Sequence, residues 1–174
     1  MKLLAFAASN SRASINKSLV IYASSLVENA EVDLIDLNDY EMPIYSSDRE
    51  NESGIPQLAQ NFYDKISQAD AVMISFAEHN GSYTAAYKNL FDWASRIDMK
   101  VYQNKPMVLL ATSPGPGGAA SVLAAAKGSA PYFGMDVRAD LSIGKFYDEF
   151  DMEKGALTHA ASNDKLLTAV SLLE

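Results

Sequence analysis

The feature that most constrains the fold of this chain is a series of short segments that are apolar at almost every position. They lie at Lys2–Ala8, Ala71–Ser75 and Met107–Thr112. A strand with this pattern is typical of a parallel sheet that is covered on both faces. The segments between the strands repeat apolar residues at intervals of three and four, which is the spacing of a helix with one buried side. Alternation of the two patterns predicts an α/β fold.

The remaining elements complete a doubly wound sheet. Further strands are predicted at Glu31–Leu37 and Met135–Ile143, with a long surface excursion between them at Tyr40–Ile55. Helices are predicted from about Ser14 to Val27, from Pro56 to Gln68, from Thr84 to Ile97, from Ala119 to Lys127 and from Ala160 to Glu174, with caps at Ser14 or Asn16, at Thr84, and at Ser162 or Asn163. No repeat or linker interrupts the pattern. We therefore expect one domain over residues 1–174, a three-layer fold with a five-stranded parallel sheet and helices on both faces.

Charge and composition disfavour several classes of protein. The 174 residues carry a formal charge of −8, and lysine and arginine cluster nowhere, which disfavours binding to nucleic acid or to an anionic membrane. No apolar segment is long enough to cross a bilayer, and Met1–Ala8 is better interpreted as a buried first strand than as a signal peptide. The absence of cysteine excludes disulfides and thiol chemistry and suits a reducing compartment, so we expect a cytoplasmic protein.

The loop after the first strand, Ser9–Lys17, is rich in hydroxyl and amide groups and carries two cations. Such a loop, leading into a helix, provides the backbone N–H groups and the positive helix end that bind phosphate. Taken alone, it is equally consistent with ordinary helix capping. Neither GxxxxGK[ST] nor GxGxxG is present, which argues against P-loop and dinucleotide-binding domains. Asp36, after the second strand, is interpreted as a solvated strand end rather than as a ribose ligand.

Two more loops follow strands of the same sheet. Phe76–Tyr83 is polar and has one glycine, whereas Ser113–Gly118 has three glycines and two prolines, so that its backbone can approach a ligand closely. Loops at the carboxyl ends of parallel strands open on one edge of the sheet, where ligands of α/β proteins bind. The three loops are therefore predicted to form one site.

Together the three loops resemble those of the NADPH-dependent FMN reductase family, which includes quinone, chromate and azo-compound reductases of the flavodoxin-like fold. The residues that match the family's motifs are Ser9, Ser14 and Asn16 in the first loop, Glu78, Asn80, Gly81, Ser82, Lys88, Asn89, Asp92 and Trp93 in and after the second, and, more loosely, Ser113–Gly118. The sequence departs from these motifs in four places: Ala8 replaces a glycine, Arg12 stands one place later than usual, Ala77 replaces a proline and His79 replaces a tyrosine.

The resemblance implies an FMN-dependent NAD(P)H oxidoreductase. It would pass electrons from NADPH or NADH through noncovalently bound FMN to a small acceptor such as a quinone, a flavin, chromate or an azo compound. The FMN phosphate is expected on Ser9–Lys17, and the ring between Phe76–Tyr83 and Ser113–Gly118. The implied cofactor-binding residues are Ser9, Ser11, Arg12, Ser14, Ile15, Asn16, Phe76, Ala77, Glu78, His79, Asn80, Gly81, Ser113, Pro114, Gly115, Gly117 and Gly118. No catalytic residue and no metal ligand is assigned, because the flavin carries the chemistry.

The second loop contains two ionisable side chains, His79 and Glu78, for which the sequence leads to different expectations. His79 either contacts the flavin or the substrate, or is a loop histidine without a chemical role. Glu78 is expected to turn away from the flavin and to serve the loop or a subunit contact, because a carboxylate there would oppose the charge of the reduced ring.

Other functions and the assembly state stay open at this stage. A flavodoxin-like electron carrier would share the fold and the FMN, and a nonenzymatic or hydrolytic protein that binds a phosphate ligand would share the first loop. The resemblance implies a homodimer or homotetramer. The aromatic residues Tyr83, Tyr87, Phe91 and Trp93 fit either a subunit interface or a thick core. The sequence distinguishes neither NADH from NADPH nor one acceptor from another.

Overall fold

The computed structural model describes residues 1–173 and centres on a parallel five-stranded sheet. Its strands lie side by side in the order Glu31–Leu34, Lys2–Ala8, Ala71–Phe76, Lys105–Thr112 and Met135–Ile143. In chain order the elements are β1 (Lys2–Ala8), α1 (Ile15–Ser25), β2 (Glu31–Leu34), α2 (Ser47–Ser53), α3 (Gln57–Gln68), β3 (Ala71–Phe76), β4 (Glu78–His79), β5 (Ser82–Tyr83), α4 (Ala85–Ala94), β6 (Lys105–Thr112), α5 (Ala120–Ser129), β7 (Met135–Ile143), α6 (Phe146–Glu149), β8 (Phe150–Asp151), β9 (Ala156–Leu157) and α7 (Ala160–Val170), with 3-10 turns at Leu37–Tyr40, Ala130–Tyr132 and Ser171–Leu173. This is the flavodoxin-like arrangement that the sequence predicts.

The sheet is covered on both faces, as its apolar strands require. Successive residues of β1 point to opposite sides, so Leu4 and Phe6 join one core while Leu3 and Ala5 join the other. Helices α3, α4 and α5 pack on the first face, and α1 and α7 on the second. Both cores are closed without a disulfide, because the chain has no cysteine.

The aromatic residues of α4 belong to the core. Tyr87, Phe91 and Trp93 are only 1%, 8% and 1% exposed, and Phe91 packs edge-on against Phe133. The indole N–H of Trp93 donates to the Pro43 carbonyl at 2.8 Å. These three side chains therefore pack in the core rather than at a subunit interface, and they give no support to an oligomer.

Two predicted elements differ from the structure. The second strand ends at Leu34 rather than at Leu37, because Asp36 caps a 3-10 turn that begins at Leu37. The predicted excursion contains α2, which has no buried residue and so leaves no apolar pattern in the sequence.

The predicted caps of the last helix are also wrong. His159 occupies the N-cap position of α7 and makes no side-chain capping hydrogen bond. The Ser162 hydroxyl donates to Glu149 instead, and the Asn163 side chain accepts from Tyr22. The helix ends at Val170 and is followed by a 3-10 turn. Its predicted last residue, Glu174, lies outside the described residues.

No helix within residues 1–173 has the length and apolar character needed to span a membrane.

Candidate functional site

The first loop presents a run of free backbone donors at the start of α1. Ser14 is the N-cap, and its Oγ accepts from Lys17 N at 3.3 Å. The N–H groups of residues 12–16 donate to no group within residues 1–173. Arg12 is exposed and makes no ion pair with the rest of the described chain. Free N–H groups, serine hydroxyls and a guanidinium at a helix start form a site suited to a phosphate.

The Asn16 side chain does not cap α1. It connects the start of α1 with the ends of strands β3 and β6. The residue is 2% exposed, and its Nδ2 donates to Thr112 O at 3.2 Å. Its Oδ1 accepts from Ser75 Oγ at 2.7 Å and from Thr112 N at 3.1 Å. The side chain therefore fixes the start of α1 to the ends of β3 and β6, which carry the other two loops.

The second cation of the first loop is paired. Lys17 Nζ lies 2.5 Å from Asp36 Oδ2. This hydrogen bond, together with one from Asn38 N, lowers the pKa of Asp36 from 3.8 to about 2. Asp36 thus holds the exit of β2 against α1 through an ion pair and is not the solvated strand end that the sequence suggested, and Arg12 remains the unpaired cation of the loop within the described chain.

The second loop is a β-hairpin rather than an irregular loop. Its two short strands, β4 and β5, are joined by Asn80 and Gly81, which both have positive φ, at 53° and 75°. This conformation suits a two-residue hairpin turn, for which Asn-Gly is the preferred sequence. The hairpin is fixed at its end by Thr84, whose hydroxyl donates to Ala8 O at 3.0 Å and caps α4 by accepting from Tyr87 N.

Glu78 connects the hairpin to the helix that follows the third loop. Its Oε2 accepts from Val122 N, in the first turn of α5, at 2.8 Å. The side chain therefore makes a contact within the chain, with α5 rather than with its own loop or with another subunit.

The third loop packs closely against the exit of β7. Gly118 has φ +60°, and a Cβ there would lie 2.9 Å from Gly144 N, so this position needs a glycine. Gly115 O accepts from Lys145 N at 2.8 Å, and Ser113 O accepts from Phe146 N at 3.1 Å. The loop is therefore held by backbone contacts on the side away from the hairpin.

The three loops surround a cleft of about 270 Å³ at the carboxyl edge of the sheet. The predicted residues that line it are Ser9, Ser11, Ser14, Ile15, Asn16, Ala77, Glu78, His79, Ser113 and Pro114. The lining does not include Arg12, Phe76, Asn80, Gly81, Gly115, Gly117 or Gly118. Of these, Phe76 is fully buried and packs edge-on against Tyr87.

Sequence analysis missed three residues that line the cleft. Ala13 and Thr112 lie within or next to predicted loops, but Tyr147 comes from α6, after the fifth strand. Its side chain is 63% exposed. The exit of the fifth strand opens on the same edge of the sheet as the other loops, and this rule could have identified the segment.

The donor set fits FMN and does not indicate a metal. The first loop offers donors for a dianionic phosphate, and the cleft continues between the hairpin and the third loop. Within residues 1–173 no group of three His, Cys, Asp or Glu side chains is placed to hold a metal ion.

The fold and the cleft define the class of protein: a flavodoxin-like α/β protein with a cleft between three loops at the carboxyl edge of its sheet. The family model for NADPH-dependent FMN reductase matches residues 1–148, and the chain belongs to that family. It is therefore an oxidoreductase, in a family of NAD(P)H-dependent flavoenzymes, and not a member of the flavodoxin electron carriers.

Known relatives are similar in sequence and in structure. A 2-hydroxy-1,4-benzoquinone reductase of a Burkholderia species is 32% identical over 134 residues, which cover 76% of this chain and 71% of that protein. An NAD(P)H-dependent FMN reductase of Pseudomonas aeruginosa is 31% identical over 69% of this chain and 64% of its own length. The solved structure of FerB, a flavoenzyme NAD(P)H:(acceptor) oxidoreductase from Paracoccus denitrificans, aligns with a TM-score of 0.79 at 25% identity, covering 99% of this chain and 94% of FerB.

Proposed function

We propose that the protein is an FMN-dependent NAD(P)H oxidoreductase that reduces a small acceptor. The candidate acceptors are quinones, flavins, chromate and azo compounds, and we propose a quinone as the substrate. The observation that carries the proposal is the run of free N–H groups at residues 12–16, at the head of a cleft in a chain of the FMN reductase family. The names of the relatives, a benzoquinone reductase and an FMN reductase, support the choice of acceptor and cofactor.

The first loop is proposed to hold the phosphate of FMN. The donors are the N–H groups of residues 12–16, the hydroxyls of Ser9, Ser11 and Ser14, and the guanidinium of Arg12. The proposed ring site lies between the hairpin, from Phe76 to Gly81, and the third loop, from Ser113 to Gly118. When bound, FMN accepts a hydride from the nicotinamide and passes electrons on to the acceptor. The protein's own groups bind and orient both molecules.

His79 is proposed to contact the flavin or the acceptor. It is exposed on the hairpin and lines the cleft. In His79→Ala we expect a change in KM for the acceptor or in FMN affinity of about threefold to tenfold, the size of one lost hydrogen bond. Wild-type values for both constants would make His79 a loop residue without a chemical role.

Composition and family resemblance support further proposals on domain organisation, assembly and location. We propose one FMN-binding domain over residues 1–174, in a homodimer or homotetramer, in the cytoplasm. The absence of cysteine supports the location, and family resemblance supports the oligomer. Light scattering at micromolar concentration tests the assembly, and a monomer would contradict it.

The phosphate assignment is tested by titrating the protein with FMN and with riboflavin, which lacks the phosphate. We expect FMN to bind at least about a hundredfold more tightly, because several charge-assisted hydrogen bonds are lost with riboflavin. Catalysis is then tested by following NADPH and NADH oxidation with a benzoquinone, with and without FMN. Equal affinity for FMN and riboflavin would contradict the phosphate site, and quinone reduction independent of FMN would contradict the function.

A further inference from the structure

Glu78 joins two walls of the cleft that have no covalent connection nearby. It lies on β4 of the hairpin and is half-buried, and its Oε2 accepts from Val122 N at 2.8 Å. Val122 is the third residue of α5, the helix that follows directly on the third loop. The bond therefore spans from the second loop of the site to the end of the third.

Helix α5 needs a cap from outside its own sequence. Its N-cap position is occupied by Ala119, in a left-handed conformation with φ 58°, and no side-chain hydrogen bond is made from there. Its first turn contains no acidic residue. The first N–H groups of a helix lack partners within the helix and carry the positive end of its dipole, so a carboxylate is a favourable partner for them. Glu78 supplies that carboxylate across the cleft wall.

The two units that Glu78 connects are each held by other contacts. The hairpin is fixed to β1 through Thr84 and Ala8. The third loop is fixed to the exit of β7 through Gly115 and Lys145. A change at Glu78 would therefore alter the spacing between two intact units rather than unfold either one.

We propose that Glu78 is a positioning residue of the flavin site that sets both its width and its charge. The hydrogen bond to Val122 keeps the hairpin and the third loop at the separation that the ring needs. Against the expectation from sequence that Glu78 turns away from the flavin, the residue lines the cleft, and the start of α5 holds its carboxylate there. The charge then opposes the negative charge that the flavin gains on reduction and so lowers its midpoint potential. This inference rests on the proposed function.

The test compares two substitutions that separate the hydrogen bond from the charge. Glu78→Gln keeps an oxygen that can accept from Val122 N but removes the charge, whereas Glu78→Ala removes both. Glu52→Gln, at an exposed position on α2, is the matched control for loss of one negative charge. Three quantities are measured: hydrogen exchange of the Val122 amide in the protein without flavin, the dissociation constant for FMN, and the midpoint potential of bound FMN.

Each half of the inference has its own expected result. In Glu78→Ala, the Val122 amide should exchange about tenfold faster and FMN should bind about tenfold more weakly, whereas in Glu78→Gln both should stay within about threefold of wild type. In both variants the potential should rise by about 30 mV, the tenfold change for a two-electron couple, and the Glu52→Gln potential should not move.

Several results would overturn the inference. Wild-type exchange and wild-type FMN affinity in Glu78→Ala would remove the positioning role. A potential in Glu78→Gln equal to that of the control would remove the role of the charge. A wild-type protein that binds no FMN would overturn the proposed function and the flavin part of this inference together, and Val122 exchange would still decide whether the bond connects the two loops.

Discussion

At the scale of single residues, Asn16 carries more of the architecture of the site than its exposed neighbours do. Its buried amide satisfies Ser75 and both backbone groups of Thr112. Asn16→Ala leaves these groups without partners and should lower the free energy of unfolding by about 3 kcal/mol. Urea unfolding measures this loss, with the exposed Asn10→Ala in the same loop as the control. Equal stability of the two variants would mean that the amide does not hold the strand ends together.

A second residue-scale prediction concerns the hydroxyl pair in the core. Tyr87 and Tyr102 are buried with their oxygens 2.8 Å apart, and burial raises the pKa of both phenols. Tyr102→Phe leaves the buried Tyr87 hydroxyl without its partner and should lower the free energy of unfolding by about 1–2 kcal/mol. Adding Tyr87→Phe should recover part of that loss. A double-mutant cycle measures the coupling. Additive losses would show that the two hydroxyls do not depend on each other.

The residues of the site show how far side-chain identity could be predicted. The sequence offered Ser14 or Asn16 as the cap of α1, and the structure has Ser14 there. Asn16 lines the cleft, and its predicted role in binding the cofactor stays a prediction. The sequence could not show that the Asn16 amide forms its hydrogen bonds with the ends of two strands, because its partners Ser75 and Thr112 lie 59 and 96 residues away along the chain. Tyr147 was missed although the predicted parallel order of the strands already brings the exit of the fifth strand to the same edge of the sheet.

At the scale of elements, the ion pair between α1 and the exit of β2 predicts a pH dependence. The pKa of Asp36 is lowered from 3.8 to about 2, so its contribution is complete above about pH 4 and is lost as the pH falls toward 2. Because the two side chains are 35% and 31% exposed, solvent screening limits the contribution to about 1 kcal/mol.

The substitution Asp36→Asn isolates this pair, because asparagine can still accept from Asn38 N. The variant should be less stable than wild type at pH 7 by about 1 kcal/mol, and the difference should disappear near pH 2. Urea unfolding across this range measures it. A difference that stays constant with pH would contradict the role of the charge.

The hairpin turn predicts the effect of a side chain at Gly81. No atom lies within 4 Å of a Cβ at that position, but φ is +75°. Gly81→Val should therefore destabilise the protein by about 1–2 kcal/mol through backbone strain and not through crowding. Gly128→Ala, within α5, is the control and should stabilise by about 0.5–1 kcal/mol. Thermal unfolding of both variants tests this, and a neutral Gly81→Val would contradict the hairpin conformation.

Elements were predictable where they bury an apolar pattern and unpredictable where they do not. The five strands and the core helices follow from such patterns, as in β3 and α3. Helix α2 buries no residue, and the strands of the hairpin are two residues long, so neither produces a periodic pattern of apolar residues in the sequence. The hairpin forms one wall of the proposed cleft, so at this wall the sequence carries no periodic pattern.

At the scale of the whole molecule, the parallel sheet brings three separate loops to one edge and so forms the cleft. Residues 9, 11 and 13–16 of the first loop line it, together with residues 77–79 and 112–114. This convergence was predictable from strand order and from the family motifs, whereas the backbone contacts that fix the loops were not. The family match supports a flavin-dependent reductase, and the free donors of the first loop supply the physical reason for FMN.

The measurement that tests the central claim most directly is anaerobic reduction of the FMN-loaded protein by NADPH and by NADH, followed by visible absorbance. We predict rapid loss of the oxidised flavin band with at least one nucleotide, and its return when a benzoquinone is added. A flavin band that persists with both nucleotides would contradict the account and would assign the protein to electron carriers that depend on another reductase.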